Sequence, residues 1–214
     1  NISKSEGPVL VYSNYVLVEG LDILKIYLKY FGYASFQDKN SKDYFRYGEF
    51  HNDISREHRN DALKLETKPE NKHGKFIKIM LFSPAGAEGI SLANIRQVHI
   101  TEPYWNMVRI IQMIGRAVRQ CSHKDLPLNE RKVDIYRYKS VKHNIRIKEV
   151  IEGQTVKKEK ILIEDPNLLK TVDFDIDEGA KSKYNLIQTF LDAMKEVAID
   201  CELNKAHNMM NNKY

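Results

Sequence analysis

Residues 76–120 decide the fold: they read FIKIMLF (76–82), SPAGAEGISL (83–92), RQVHITE (96–102) and, after a short gap, MVRIIQMIGRAVRQ (107–120). The first and third segments are short, apolar and rich in β-branched residues, which is typical of buried strands. The last segment has apolar residues at helical spacing and is predicted to be a helix despite Gly115. A strand, a glycine-containing loop, a second strand and a helix in this order indicate an α/β fold.

The segments on either side continue the alternation. Strands are predicted at PVLVYS (8–13), 43–47 and KVDIYRY (132–138), and helices at 17–31, with Gly32 as its stop, and at 55–65, with Ser55 as N-cap. Strands that alternate with helices predict a parallel sheet with right-handed crossovers, sandwiched by helices.

The C-terminal part has a different character. Residues 143–165 lack a helical period, and Gly153 interrupts them, which predicts an irregular β excursion. Residues 178–200 carry apolar side chains at a spacing of 3.6, which predicts an amphipathic helix whose apolar face packs on the lobe or on a partner. We therefore divide the chain into a parallel α/β lobe, 1–142, and a C-terminal α+β appendage, 143–214.

Composition excludes several classes of protein. The 214 residues are 42% hydrophobic, enough for a sizeable core, and no stretch approaches a membrane span of about 20 apolar residues. Two cysteines, Cys121 and Cys201, cannot form a disulfide framework, which suits a reducing compartment. Zinc-ligand spacing is also absent. The net charge of +5 permits a polyanionic partner without requiring one. Since the first residue is Asn1 and no signal peptide follows, we expect a piece of a longer chain.

Two elements of the central stretch can carry chemistry. Gly86 and Gly89 follow a strand directly, so they either let the backbone approach a phosphate or only form a tight turn. Gln112, Arg116 and Arg119 fall on one helix face, where two arginines fork onto a phosphate or form an ordinary solvated face. Both elements follow strands of a parallel sheet and should meet at one edge. Their conjunction favours a phosphate site.

At these residues the chain resembles a known family. SPAGAEGISL is similar to motif V and QMIGRAVRQ to motif VI of superfamily-two helicases, and PVLVYSNYV resembles motif IV. EPYWN (102–106) resembles the Swi/Snf-type remodelling ATPases. Longer strings, among them GAEGISLANIRQVHITEPYWN and FLDAMKEVAIDCELN, resemble the helicase-like ATPases of large nucleocytoplasmic DNA viruses, a group that includes the small subunit of the poxvirus early transcription factor and nucleoside triphosphate phosphohydrolase I. The resemblance implies a RecA-like lobe, the second of two.

The resemblance implies roles residue by residue. Arg116 and Arg119 occupy the motif VI positions that reach the ATP γ-phosphate, with Arg119 as the first choice for the arginine finger. Gln112, Gly89 and Ser91 are implied to couple ATP to the interface between the lobes. The residues implied to contact the nucleic-acid backbone are Ser13, Asn14, Ser83 and Gly86. Ser91 replaces the Asp of many RNA helicases and Gln112 replaces a His, which favours DNA over RNA as the track. Trp105 either stacks on a base or packs, and packing is the preferred interpretation.

The sequence lacks a G-x-x-x-x-G-K-[ST] phosphate loop and the Asp-Glu box that holds Mg²⁺. By resemblance these parts belong to an N-terminal RecA-like lobe of the same longer chain, so we expect ATP with Mg²⁺ as the cofactor and no hydrolysis by this fragment alone. The expected setting is viral, in the virion and the host cytoplasm, without a membrane. Two functions are open: a nucleic-acid-dependent ATPase of viral transcription, or a non-catalytic module that docks on RNA polymerase or a transcription-factor subunit.

Overall fold

The computed structural model describes residues 1–38, 45–84, 90–142, 145–152, 155–162 and 170–197, with backbone only for 145–152 and 155–162. The regular elements, in chain order, are β1 (Val9–Tyr12), α1 (Leu21–Tyr30), β2 (Tyr33–Ser35), β3 (Phe45–Phe50), α2 (Arg56–Glu66), β4 (Ile79–Phe82), β5 (Gln97–Ile100), α3 (Met107–Ala117), β6 (Asp134–Arg137), β7 (Ile145–Glu152), β8 (Thr155–Leu162) and α4 (Val172–Glu196).

Six strands form one sheet, and every pair in it is parallel. The order is β2-β3-β4-β1-β5-β6, with Val9 paired to Ile79 on one side and to Gln97 on the other. The central strands β1, β4 and β5 are buried at all four positions, which explains the continuous apolar runs VLVY and IMLF of β1 and β4, while β5 also buries the polar residues Gln97 and His99. The predicted α/β fold with a parallel sheet is confirmed.

Helices cover both faces of this sheet. On one face α1 buries Leu21 and Leu28 against Val9, Val11, Ile79 and Leu81. On the other face α2 and α3 contribute Ala62, Met107, Ile110, Met113 and Ala117 to a larger cluster around Leu10, Met80 and Phe82. Burial of each such aliphatic side chain stabilises the folded state by about 1.5–3 kcal/mol, so the larger cluster fixes the position of α3 on the sheet.

The boundaries of several elements differ from the prediction, and α1 and β3 are the first two. The helix predicted at 17–31 begins only at Leu21, because Gly20 packs so closely on the carbonyl of Tyr15 that a Cβ there would lie 2.0 Å from the oxygen. Residues before it form a turn, with Val18 at a φ of 49°. The strand predicted at 43–47 is observed at Phe45–Phe50, and the three-residue edge strand β2 was missed.

Helix α3 begins with a side-chain cap and ends earlier than predicted. The Asn106 side chain accepts the N–H of Val108 at 3.0 Å, and the helix ends at Ala117, before the predicted end at Gln120. Gly115 is tolerated because it lies on an open face, where an added Cβ would meet nothing within 4 Å. The exposed side of α3 is therefore narrow at this point.

The C-terminal appendage consists of a hairpin and a long helix. Strands β7 and β8 pair antiparallel from Ile145–Leu162 to Glu152–Thr155, which agrees with the predicted β excursion. Helix α4 starts at Val172, six residues before the predicted start, because the Thr171 side chain caps it by accepting the N–H of Phe174 at 3.2 Å. The division of the chain at residue 142 stays a prediction. Among the described helices, none is long and apolar enough to cross a membrane.

Ion pairs anchor the first turns of α4 to the end of β6. Asp177 is almost fully buried and pairs with Arg137 at 3.0 Å and with Lys139, just after β6, at 3.6 Å, while Lys181 of α4 itself lies at 2.9 Å. The second half of the helix has no such anchor in the described part of the chain and exposes a run of large apolar side chains, namely Leu186, Ile187, Phe190, Leu191, Met194 and Val197.

Candidate functional site

The predicted site residues gather at the carboxyl edge of the sheet. Ser13 follows β1, Ser83 follows β4 and Glu102 comes soon after β5. The ladder extends slightly past the strands, since the Ser13 N–H donates to the Phe82 carbonyl at 3.0 Å and the Thr101 N–H to the Tyr12 carbonyl at 3.0 Å. Open parallel sheets bind their ligands at this edge.

Glu102 joins two of these strands and was missed by the sequence reasoning. Its carboxylate accepts the Ser13 hydroxyl at 3.2 Å and the Asn14 side-chain amide at 3.1 Å, together with the Asn14 backbone N–H and the Thr101 hydroxyl. This single carboxylate therefore fixes both predicted motif IV residues. The available signal was an acidic residue at the end of the HITE strand, a position that faces the ligand edge.

Tyr12, the last residue of β1, also holds the side chain of Asn14. Its hydroxyl donates to the Asn14 side-chain oxygen at 3.0 Å. Burial raises the pKa of Tyr12 to about 12, with a smaller opposing effect of Arg109 and, more weakly, of Arg116. The phenol is therefore a permanent hydrogen-bond donor at physiological pH, and Asn14 keeps one fixed orientation.

The last residues of motif V contact the end of α3 and the residues just after it directly. The Arg119 guanidinium donates to the Ser91 hydroxyl at 2.5 Å, and the Leu92 N–H donates to the Arg116 carbonyl at 3.3 Å. Ser91, Gln112 and Arg119 are exposed, while Arg116 is half-buried. The structure thus brings together the arginines and the serine that were predicted to serve ATP.

Four predicted positions remain without a described contact to the others, and one of them is Gln112 on the exposed side of α3. Ser83 lies at the sheet edge, but its hydroxyl is buried without a hydrogen-bond partner among the described residues. Gly86 and Gly89 lie outside the described residues, so their predicted roles stay predictions.

A buried acid on α2 contacts the same segment from the opposite side. Glu66 is 1% exposed, and its carboxyl accepts the Ala93 N–H at 3.3 Å. Burial raises the pKa of Glu66 to about 8, against a smaller lowering by the Ala93 N–H. Nothing in the sequence marked this glutamate, because it ends an otherwise polar surface helix.

Trp105 corrects an expectation. Packing was the preferred interpretation, yet the side chain is 61% exposed. The ammonium of Lys183 on α4 lies 5.5 Å from the ring centroid, and both residues line a cavity of about 190 Å³ between α3 and α4. The indole ring bridges the lobe and the appendage instead of entering the core.

The sequence is also similar to known proteins of one family. Residues 2–121 match the family described as the helicase conserved C-terminal domain. A protein of Acanthamoeba polyphaga mimivirus, provisionally named an ATP-dependent RNA helicase, is 44% identical over 98% of this chain and 24% of its own length. The termination factor NPH-I homolog of African swine fever virus (isolate Tick/South Africa/Pretoriuskop Pr4/1996) is 31% identical over 95% of this chain and 32% of its length.

A third relative is the nucleoside triphosphatase I of Melanoplus sanguinipes entomopoxvirus, which is 31% identical over 93% of this chain and 25% of its own length. The chain therefore spans between about a quarter and a third of the length of these curated relatives. Three findings agree: the sheet is parallel and six-stranded, motif V contacts motif VI through Ser91 and Arg119, and the family match covers residues 2–121. The chain thus belongs to the helicase conserved C-terminal domain family, as a RecA-like lobe similar to those of the helicase-like ATPases of large DNA viruses.

Proposed function

We propose that this chain is the second lobe of a nucleic-acid-dependent ATPase and that it supplies arginine fingers to ATP bound on a first RecA-like lobe. The observation that carries the proposal is the contact between Arg119 and Ser91, 2.5 Å long, at the ligand edge of the sheet. It orients the guanidinium of the exposed Arg119, three residues after a second, half-buried arginine, Arg116.

This donor set fits a triphosphate. Guanidinium groups remain charged at every physiological pH and offer forked N–H donors that match phosphate oxygens. Arg116 and Arg119 would stabilise the charge that spreads over the γ-phosphate oxygens in the transition state, and Gln112 would sense closure of the lobes. ATP supplies the bond to be cleaved. Mg²⁺ would be held mainly by the first lobe.

The hydrogen bonds at motif IV narrow the proposed contacts with nucleic acid. The Ser13 hydroxyl has one hydrogen and donates it to Glu102, so it has none left for a phosphate. The Asn14 amide has two N–H groups and donates one of them to Glu102. Asn14 is therefore the proposed backbone contact, and Ser13 supports it. Ser83, Gly86 and Gly89 keep their proposed places along the same edge.

The proposal names no preference between DNA and RNA. Gln112 and Ser91 favoured DNA in the sequence, whereas the mimivirus relative is named as an RNA helicase. The African swine fever virus relative is named as a termination factor, which supports a setting in viral transcription. The virion and the host cytoplasm remain the proposed location.

The test is ATP turnover by the longer protein that contains this chain, measured alone and with single-stranded DNA, duplex DNA or RNA. We expect stimulation by one of these, and an Arg119→Ala variant that loses about 10³-fold or more in kcat. Lys75→Ala removes an exposed cation just before β4, at the opposite edge of the sheet, and serves as the charge-matched control with unchanged turnover. Unchanged turnover in Arg119→Ala would remove Arg119 from the mechanism.

One observation favours a second candidate, a non-catalytic module that docks on RNA polymerase or a transcription-factor subunit. The distal half of α4 exposes Phe190 at 66%, and Val197, directly after the helix, is 82% exposed. If the longer protein is inactive on ATP with every nucleic acid, but binds the viral polymerase and loses that binding in a Phe190→Glu variant, the docking module replaces the ATPase.

A further inference from the structure

Glu66 is a buried acid that the proposed function does not use. It ends α2 and is 1% exposed, on the side of the sheet that carries the larger apolar cluster. A carboxyl group in such a place costs free energy unless it is neutral or well paired. A buried carboxyl group at this position therefore suggests a functional role that offsets its cost.

The end of α2 is a rigid platform for this side chain. The amide of Asn71, which is fully buried, donates to the Glu66 carbonyl at 3.1 Å and to the Ile77 carbonyl at 3.1 Å. The Asn71 oxygen accepts the N–H groups of Phe76 and Ile77 at 2.8 and 3.0 Å. With all its hydrogen-bonding groups engaged, Asn71 ties the end of α2 to the residues that lead into β4.

Among the described residues, the Glu66 carboxyl accepts one hydrogen bond, from the segment that carries Ser91. One oxygen accepts the Ala93 N–H at 3.3 Å, and the other is buried without a partner among the described residues. The neighbouring N–H groups of this segment donate elsewhere: Leu92 to the Arg116 carbonyl at 3.3 Å and Asn94 to the Ser122 carbonyl at 2.9 Å.

The segment is thus held between two supports. Helix α3 and its exit hold Ser91, Leu92 and Asn94, and α2 holds Ala93 through Glu66. Without the α2 side, the partly buried N–H of Ala93 would lose its acceptor, and Ser91, two residues away, would be held only by Arg119, the side chain that it is meant to orient.

We propose that Glu66 is a positioning residue for ATP hydrolysis: it fixes the Ser91–Ala93 segment from α2, so that Ser91 orients Arg119. The proposal rests on the proposed function for its catalytic part. Its structural part is the hydrogen bond from the Ala93 N–H to the Glu66 carboxyl, which we call the grip, and this part does not depend on the proposed function.

The protonation state of Glu66 makes the strength of the grip depend on pH. Burial raises the pKa of Glu66 to about 8, the Ala93 N–H lowers it by less, and no charged side chain of the described chain contributes to the shift. The neutral acid remains buried and accepts from Ala93. The ionised form is a buried charge that draws water, so the grip weakens as the pH rises through about 8.

The first test measures hydrogen exchange of the Ala93 amide in this chain. Glu66→Met keeps the length and apolar fit of the side chain but removes the acceptor, so we expect at least about tenfold faster exchange at Ala93. Glu66→Gln retains a neutral acceptor and should restore protection. Equal protection of Ala93 in the Met variant and the wild type would overturn the grip.

The second test measures ATP turnover against pH in the longer protein. We expect wild-type kcat to fall on an alkaline limb centred near pH 8, the Gln variant to lose that limb, and the Met variant to have a kcat about tenfold lower at every pH. Glu57→Gln, an exposed acid on the same helix, should keep the limb. A limb that survives in Glu66→Gln overturns the catalytic part. A wild-type protein inactive on ATP refutes the proposed function, while Ala93 exchange still decides the grip.

Discussion

The pH dependence of folding stability gives the sharpest prediction for Glu66, and the perturbation is Glu66→Gln. Burial raises the pKa of this group from 4.5 to about 8 in the folded protein. Between these two values the folded state holds a proton that the unfolded chain has released, so the free energy of unfolding falls as the pH rises. The stabilising effect is complete below 4.5 and is lost as the pH rises through the folded pKa.

The magnitude follows from the shift. Each pH unit inside the window changes the free energy of unfolding by ~1.4 kcal/mol for one proton. From the unfolded pKa of 4.5 to neutral pH, the wild type therefore loses about 3 kcal/mol that the Gln variant does not lose. Because total stabilities are about 5–15 kcal/mol, the difference is large enough to measure.

The assay is urea unfolding followed by far-ultraviolet circular dichroism, with both proteins measured at several values from about pH 5 to about pH 8. The quantity to plot is the difference between the free energies of unfolding of the two proteins, in which titrations common to both cancel. We expect Glu66→Gln to gain on the wild type by ~1.4 kcal/mol per pH unit. A difference that stays flat across this range would show that Glu66 is ionised in the folded state and would refute the reasoning.

Three further changes have expected outcomes. Burial lowers the pKa of His99 from 6.5 to about 4, so stability is lost as the pH falls through this window; His99→Phe should remove about 3 kcal/mol of that acid dependence, and an unchanged acid limb in thermal unfolding would assign it elsewhere. Asp177→Asn should loosen the first turns of α4, because Arg137 and Lys181 lose a charged acceptor, and hydrogen exchange across α4 should rise by about tenfold; slow exchange throughout would contradict the anchor. Glu102→Leu should lower the free energy of unfolding, measured in urea, by about 2–3 kcal/mol, because the Asn14 N–H groups lose their acceptor. A variant as stable as the wild type would mean that these N–H groups find other acceptors.

Much of the fold could be predicted from the sequence because its central strands are apolar on both faces. VLVY and IMLF have no polar residue that would permit another placement, and the helix 107–120 has a clear apolar face. The edge strand YAS was missed because three residues carry too little periodicity. The early start assigned to α1 failed because apolar residues before Gly20 imitate a helical face while they lie in an exposed turn.

The candidate site was predictable where it was local and unpredictable where it was assembled across the chain. Arg116 and Arg119 are three residues apart in one motif, so both could be found locally, although α3 ends at Ala117 and Arg119 lies just beyond the predicted helix face. Glu102 contacts Ser13 across 89 residues, and Glu66 contacts Ala93 across 27. No local pattern records such partners, because they depend on the strand order and on how deeply each side chain is buried.

The strand order also determines when each strand can pair with its neighbours during synthesis. The central strand β1 is synthesised well before both of its neighbours, since Val9 pairs with Ile79 and with Gln97. At a synthesis rate of about 5–20 residues per second, the VLVY segment waits on the order of 4–14 s for its first sheet neighbour. During that interval a fully apolar strand is exposed outside the ribosome, and such segments are prone to aggregate. The nascent chain should therefore depend on a chaperone until residues around 79–100 emerge, although the finished lobe buries this strand completely.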